Sequence, residues 1–77
     1  WWAGGNPFHH HQDLNRLRQA WTRPDTVIVN EWCWNALARH ADIVLPCTTA
    51  LERRDVTMTP RDPYMISMEP AVPPAGL

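Results

Sequence analysis

Two short runs of β-branched and apolar residues place the strongest constraint on the fold of this chain. Residues 26–29 read Thr-Val-Ile-Val and residues 42–45 read Asp-Ile-Val-Leu, and neither run alternates between apolar and polar positions. Continuous runs of this kind are typical of strands that are covered on both faces, as in parallel sheets. Pro46 ends the second run, because proline cannot donate a hydrogen bond to a strand ladder. We therefore predict two covered strands.

Helical patterns flank these two strands. From Leu14, apolar residues recur at i, i+3 and i+7, which predicts an amphipathic helix over residues 10–21, and a shorter helix is predicted over residues 34–39. Residues 1–3 have the character of the last part of another strand. The order strand, helix, strand, helix, strand predicts an α/β fold, namely part of a doubly wound, Rossmann-like parallel sheet with right-handed crossovers.

The end of the chain has a different composition. Five of its eight prolines lie between residues 60 and 74, as in a linker or a segment that packs on something else. We predict an α/β part over residues 1–59 and an irregular, Pro-rich continuation or linker over residues 60–77, with residues 64–68 as a candidate extended piece. A chain of 77 residues barely buries enough apolar surface for one domain, so we expect it to be a single domain at most, or a piece of one.

The charge balance excludes several classes of partner. The formal net charge is −1, with seven basic residues, all of them arginine, against eight acidic ones. Such a balance produces no long-range field, so we expect no nucleic-acid partner and no anionic membrane surface. No stretch approaches the roughly 20 apolar residues that span a bilayer, so membrane insertion is not expected. Cys33 and Cys47 lack the paired spacing of a zinc site or a disulfide framework. The cellular compartment stays open.

Polar loops follow the three predicted strands. In an open parallel sheet, ligands bind outside the carboxyl ends of the strands, beside a switch point in the strand order. The loops that this rule brings together are Gly4-Gly5-Asn6, Asn30-Glu31 and residues 46–49. The glycine turn is either a plain tight turn or a phosphate site, because its N–H groups and the following helix end suit an anion. Glu31 is equally compatible with ribose hydroxyls or a base and with a solvated or capping role.

Basic side chains lie near these loops in the sequence. His9, His10 and His11 fan out by about 100° each on a helix, so they cannot converge on one ion and no metal site is predicted. A polar ligand contact by His10 or His11 fits the pattern better. The run Glu-Arg-Arg-Asp at residues 52–55 is either a solvated or salt-bridged corner or the source of an arginine that grips a phosphate with two hydrogen bonds.

Three longer blocks resemble one known family. They are residues 2–17 (WAGGNPFHHHQDLNRL), residues 38–46 (ARHADIVLP) and residues 51–53 (LER). Blocks of this length at consistent spacing closely resemble the dimethyl sulfoxide reductase family of molybdopterin oxidoreductases, and the resemblance extends as far as Pro74. The chain departs from the usual family pattern over residues 33–37 and at Cys47 and Arg54.

The resemblance implies an interior fragment of a much longer catalytic subunit. Such an enzyme carries a molybdenum bis(molybdopterin guanine dinucleotide) cofactor and reduces S-oxides or N-oxides with electrons from a donor. Residues 1–59 would then belong to the α/β domain that binds a guanine dinucleotide. Matched by motif position, the implied cofactor contacts are Asn6, His10, Asn30, Glu31 and Arg53, beside the turn Gly4-Gly5.

The resemblance also implies a role for each group. The glycine turn and helix start would bind phosphate, Asn30 and Glu31 would bind guanosine hydroxyls or the base, and Arg53 would neutralise charge. The molybdenum ligand and the substrate funnel of the family lie outside this segment, so no catalytic residue is predicted in it.

Two other functions stay open on the residues alone. One is a small, non-enzymatic interaction module whose Trp- and Pro-rich surface docks a partner. The other is a nicotinamide-binding half-domain, which is disfavoured because the third glycine of the common dinucleotide fingerprint is missing.

Overall fold

The structure, a computed structural model, describes residues 1–75 as a series of short helices and strands. In chain order these are β1 (Trp2–Ala3), α1 (Pro7–His10), α2 (Leu14–Trp21), β2 (Ile28–Glu31), α3 (Ala36–Arg39), β3 (Ile43–Pro46), β4 (Asp55–Met58) and β5 (Met65–Met68). The chain divides into two compact units, Trp1–Cys47 and Thr48–Leu77.

The first unit is built on a parallel sheet in which the strands lie in the order β1-β2-β3. Ala3 is paired with Asn30, and Asn30 in turn with Leu45, so the carboxyl ends of the three strands lie at one edge. Helical segments connect β1 to β2 and β2 to β3. The predicted α/β class and parallel sheet are confirmed. The order of these three strands does not reverse, so the rule for ligand sites applies here through the shared carboxyl edge and not through a switch point.

The second strand extends further than predicted. The sequence predicts that Asn30 and Glu31 leave the sheet after residue 29, but both belong to β2, where they pair with Leu45 and Pro46. The main chain of β2 stays bonded to its neighbour to the end, because the N–H of Cys47 donates to the Glu31 carbonyl over 3.1 Å. Glu31 is therefore a strand residue and is only 8% exposed.

The helix predicted over residues 10–21 is wrong in its extent, because two helices occupy this region. The Asp13 carboxylate accepts a hydrogen bond from the N–H of Arg16 at 3.0 Å and so caps α2. The N–H of Asp13 donates to Nδ1 of His11 at 3.1 Å, which holds the break between α1 and α2. Caps of this kind satisfy backbone groups that a continuous helix would pair internally, and they start a new helix instead.

A small apolar core holds the first unit together. It consists of Phe8, Val27, Val29 and Leu37, with α3 packed against β2. Burial of each such side chain contributes about 1.5–3 kcal/mol. The rings of Phe8 and Trp21 meet edge to face with centroids 5.2 Å apart, which extends the core to α2.

The third strand is not covered on both faces, in contrast to the prediction. Ile43 is 46% exposed and Leu45 is 36% exposed. Both side chains lie on the same face of the sheet as Ile28, whereas the core lies on the other face, where Val44 packs beside Val29. A continuous apolar run therefore identifies the strand without fixing how far each of its faces is covered.

The second unit is a β-hairpin with its flanking loops. β4 and β5 are antiparallel, with Asp55 opposite Met68 and Met58 opposite Met65. β5 corresponds to the candidate extended piece at residues 64–68, so the Pro-rich continuation is not irregular throughout. Residues 76 and 77 of the predicted linker lie outside the described residues. Within residues 1–75, no helix has the length and apolar character needed to cross a membrane.

Candidate functional site

The turn after β1 requires glycine at two positions. Gly4 has φ +83° and Gly5 has φ +70°, in the left-handed region that L side chains rarely adopt. A Cβ atom placed on either residue would meet no atom within 4 Å. The glycines therefore serve the backbone conformation and not close packing within the described chain. The space beside this turn is open to a ligand.

Asn6 has one satisfied polar atom and one unsatisfied one. Its Oδ1 accepts a hydrogen bond from the N–H of Phe8 at 3.1 Å and so caps α1, with Pro7 at the first helical position. Its Nδ2 is buried and has no hydrogen-bond partner within the described part of the chain. Buried polar atoms are nearly always paired, so this amide points to an acceptor supplied from outside residues 1–75.

Asn30 lies beside the glycine turn, on the neighbouring strand β2. It is the β2 partner of Ala3, the residue immediately before Gly4. The indole Nε1 of Trp1 donates to Oδ1 of Asn30 at 2.7 Å. Since an amide has one acceptor oxygen and two N–H donors, this bond fixes which end of the Asn30 amide faces Trp1 and leaves the donors for another partner.

Glu31 is the carboxylate of this edge. The residue is 8% exposed, and among the residues that the structure describes no N–H, hydroxyl or cation is bonded to its carboxylate. The two oxygens are not among the enclosed polar atoms, so they reach the surface and can accept from a group with several donors. Ribose hydroxyls and the edge of a guanine base both supply such donors.

His10 lies at the opposite end of α1 from Asn6. It is the exposed last residue of α1, and it lines an open cavity of about 510 Å³ together with His11, Asp13 and Arg16. His11 is engaged in its own loop through Nδ1, so His10 is the better candidate for a ligand contact of the two. In the described chain, no group of three His, Cys, Asp or Glu side chains is placed to hold a metal ion.

Arg53 belongs to the second unit, where its guanidinium is held firmly. Nε and Nη2 lie 2.9 Å and 2.8 Å from the Asp55 carboxylate, and Nη1 donates to the Thr48 carbonyl at 2.6 Å. Of the five N–H groups of an arginine, two are left, one on Nη1 and one on Nη2. Both are available to phosphate oxygens.

Asp55 is the charged partner of Arg53. The N–H of Val56 and the guanidinium of Arg53 hold the pKa of Asp55 below its usual range, so this carboxyl is ionised at neutral pH. The charge neutralisation that the family resemblance implies for Arg53 stays a prediction.

The predicted site residues thus fall into three groups. Strand register brings Gly4, Gly5 and Asn6 to the same edge as Asn30 and Glu31. His10 lies one short helix further along, and Arg53 is described within its own unit.

Two polar groups with a structural role escaped the sequence reasoning. One is the indole of Trp1, bonded to Asn30, for which the sequence carries no signal. The other is the pair Thr49 and Glu52, in which the carboxylate accepts from the N–H of Thr49 at 2.6 Å. Its spacing, Thr-x-x-Glu, is the pattern of a capping box and could have been found.

The comparisons with known proteins cover the whole chain. Residues 1–77 match the model of a family described as molybdopterin oxidoreductase. The chain is 53% identical over 76 residues to a biotin sulfoxide reductase of Cereibacter sphaeroides, an alignment that covers 99% of this chain and 10% of the relative. It is 57% identical over 77 residues to a trimethylamine-N-oxide reductase of Haemophilus influenzae, covering 96% of this chain and 9% of the relative.

A third relative matches a shorter stretch. It is a dimethyl sulfoxide/trimethylamine N-oxide reductase of Cereibacter sphaeroides, 61% identical over 56 residues, which are 73% of this chain and 7% of the relative. The chain spans about a tenth of the length of the curated relatives it matches. The family resemblance read from the three sequence blocks is confirmed: this chain belongs to the molybdopterin oxidoreductase family.

Proposed function

We propose that this chain is one wall of the site for the guanine dinucleotide part of a molybdenum bis(molybdopterin guanine dinucleotide) cofactor. The parent enzyme would be an oxidoreductase that reduces S-oxides or N-oxides with electrons from a donor. Membership of the molybdopterin oxidoreductase family supports the cofactor, and the names of the three relatives support the substrate class.

The main support for this function of the segment is the amide nitrogen of Asn6, which is unpaired within residues 1–75. Nδ2 of Asn6 is buried without an acceptor in the described residues, although the same side chain caps α1 through Oδ1. The atom lies directly after two glycines whose left-handed conformations leave open space. A phosphate or ribose oxygen that reaches this amide would satisfy it, so the residues present fit the cofactor.

The other residues of the edge fit complementary parts of the same group. The N–H groups of the glycine turn suit a phosphate. The start of α1 adds none, because Pro7 has no N–H and those of Phe8 and His9 are bonded to Asn6. Glu31, as an acceptor with no bonded partner in the described residues, and Asn30, through its free donors, suit guanosine hydroxyls and the base. His10 and the two remaining N–H groups of Arg53 are further phosphate contacts in this proposal.

This segment binds and orients, and does not itself react. The bound molybdenum group supplies the redox chemistry and the acceptor for the oxygen atom of the substrate. The strand ends fix the guanosine end through Asn30 and Glu31, while the glycine turn and Asn6 hold the phosphates that join it to the pterin. A cofactor anchored at its far end has fewer orientations at the reacting centre, which is the contribution of this wall to the rate.

The proposal extends to the domain. We propose that residues 1–59 form part of a doubly wound, Rossmann-like domain of the parent enzyme, which supplies the strands and helices that cover β3. Residues 60–77 would continue from it as the Pro-rich connection. The exposed Ile43 and Leu45 of β3 support further strands or helices on this side of the sheet.

The decisive variants separate the two functions of Asn6. Asn6→Ser keeps an oxygen that caps α1 but has no amide donor, whereas Asn6→Ala loses both. In the full-length parent enzyme, Asn6→Ser should release cofactor about tenfold faster, as expected for one lost hydrogen bond to a charged group. The measurement is the guanosine monophosphate and molybdenum content per protein over time. The control is Asn15→Ser, on the exposed surface of α2.

The outcomes separate the hypotheses. Equal cofactor retention in Asn6→Ser, Glu31→Gln and the unmodified enzyme would remove this edge from the cofactor site. The alternative of a stand-alone interaction module predicts that the isolated 77-residue chain unfolds in one cooperative thermal transition, without any cofactor. The match of the family model to the whole chain favours the cofactor wall.

A further inference from the structure

The loop between β3 and β4 is organised around one carboxylate, that of Glu52. One of its oxygens, Oε2, accepts from the N–H of Thr49 at 2.6 Å and from the Thr49 hydroxyl at 2.8 Å. The other, Oε1, accepts from the N–H of Ala75 at 2.7 Å. In return, the N–H of Glu52 donates to the Thr49 carbonyl at 3.1 Å, which closes a tight turn over residues 49–52.

This turn is also tied to the end of the described chain. The carbonyl of Leu51, inside the turn, accepts from the N–H groups of Ala71 and Val72 at 2.8 Å and 3.1 Å. With the bond from Ala75 to Glu52, the turn is held from both sides by hydrogen bonds that bridge about 20 residues of sequence. Glu52 is half-buried, so water competes for these bonds less than at a fully exposed loop.

The turn separates the two points that hold the Arg53 guanidinium. Thr48, whose carbonyl accepts from Nη1, immediately precedes the turn, and the main chain of Arg53 immediately follows it. The distance from the Thr48 carbonyl to Arg53 therefore depends on whether the turn stays closed. Glu52 makes no ion pair with Arg53 in the described part of the chain, so any influence on the arginine passes through the backbone.

We propose that Glu52 is a positioning residue for Arg53: by closing the turn over residues 49–52, it aims the two free N–H groups of the guanidinium at a cofactor phosphate. This inference rests on the proposed function of the chain. Asp55 orients the guanidinium from its other side, through Nε and Nη2, so that carbonyl and carboxylate together leave one orientation. Hydrogen bonds from the Thr49 N–H, the Ala75 N–H and the Thr49 hydroxyl lower the pKa of Glu52, which keeps it an ionised acceptor at neutral pH.

The test is a double-mutant cycle in the full-length holoenzyme. Glu52→Gln places an NH2 group where one of the two sets of donors points, so either the Thr49 bonds or the Ala75 bond is lost. The readout is the rate of cofactor release, followed as guanosine monophosphate set free after gel filtration. We expect about tenfold faster release for Arg53→Gln and a severalfold increase for Glu52→Gln. The double variant should release cofactor no faster than Arg53→Gln alone, since Glu52 acts through Arg53.

The outcomes distinguish the positioning role of Glu52 from the proposed cofactor-binding function of the chain. If Arg53→Gln accelerates release and Glu52→Gln does not, the positioning role of Glu52 is wrong, but the proposed cofactor-binding function of the chain is unaffected. Additive effects in the double variant also overturn the positioning role, because Glu52 would then act independently of the arginine. If Arg53→Gln leaves release unchanged while Asn6→Ser accelerates it, Arg53 is no cofactor contact and Glu52 positions nothing for binding. If neither Arg53→Gln nor Asn6→Ser accelerates release, the proposed cofactor-binding function of the chain is wrong.

A milder variant covers the case in which Glu52→Gln does not accumulate as folded protein. Thr49→Val removes only the hydroxyl donor to Oε2 and keeps the side-chain shape and the backbone bond. It should give a smaller acceleration that also disappears in the Arg53→Gln background, and an acceleration that persists there contradicts the proposal. Glu69→Gln is the matched control, because Glu69 of the same unit forms only an exposed ion pair with Arg54.

Discussion

The two units of the chain are stabilised by different kinds of interaction. The unit Trp1–Cys47 contains all of the buried apolar side chains of the described residues, with Val29 and Leu37 completely buried. The unit Thr48–Leu77 has no buried residue among those described, and its loops are held by carboxylates that accept from backbone N–H groups, such as Glu52 and Asp55. Packing therefore places the side chains of the first unit, and hydrogen bonds place those of the second.

Because of this difference, the two units should respond differently to mutation and to pH. Apolar packing depends on volume and is insensitive to pH, whereas a loop held by ionised carboxylates depends on their charge and on each donor. Mutations that remove volume should therefore affect the first unit, and acid should affect the second.

The largest expected effect comes from the core of the first unit. Leu37→Ala should lower the local opening free energy by about 3 kcal/mol, because it removes a completely buried leucine. In the parent enzyme, amide hydrogen exchange of β2 should become roughly 100-fold faster. The matched substitution Leu51→Ala, at a leucine that is 59% exposed in the second unit, should change local stability by less than about 0.5 kcal/mol. Equal effects would show that the two units do not differ in packing.

Acid provides the opposite test. Hydrogen bonds from Thr49 and from the N–H of Ala75 lower the pKa of Glu52. The pKa of Asp55 is lowered by a hydrogen bond from the N–H of Val56 and by the hydrogen bond and charge of Arg53. A carboxyl with a depressed pKa in the folded state stabilises it above the usual value, about 4.3 for Glu, and this stabilisation is lost as the pH falls through the lowered pKa. Exchange of the Thr49 and Ala75 amides, corrected for intrinsic rates, should therefore accelerate below this range while that of Leu37 does not. Simultaneous loss of protection in both units would contradict this.

The contrast between the units also explains what could be predicted from the sequence. The strands near residues 26–29 and 42–45 could be predicted, because the apolar residues that pack in the core also form the sequence pattern. The burial of Glu31 could not be predicted, since it depends on how far β2 stays paired with β3. In the second unit, Arg53 is bonded to the backbone carbonyl of Thr48, and a carbonyl carries no signal in the sequence. Glycine and asparagine at positions 5 and 6 were identifiable, because turns and caps require particular residue types.

The glycine turn is the part of the first unit that packing does not stabilise. Gly5→Ala meets no neighbouring atom within 4 Å, so its cost is the left-handed backbone alone, about 1–2 kcal/mol. Gly5→Asn should cost less, because asparagine tolerates this conformation. Exchange of the Phe8 amide, which Asn6 caps, reports the change. A cost for Gly5→Ala as large as that of Leu37→Ala would mean that the turn is packed after all.

The smallest effect is expected at the arginine next to Arg53. Arg54 and Glu69 directly extend the register of β4 and β5, and their ion pair of 2.9 Å has side chains that are 81% and 65% exposed. Exposed pairs contribute about 0–1 kcal/mol, so Arg54→Gln should change the stability of the hairpin by less than about 0.5 kcal/mol and leave cofactor release unchanged. Measured beside Arg53→Gln, it compares two adjacent exposed arginines, one bonded to both Asp55 and Thr48 and one paired, within the described residues, only with Glu69. A release rate for Arg54→Gln equal to that of Arg53→Gln would show that the second unit acts through its total charge, and that the fixed geometry of Arg53 has no special role.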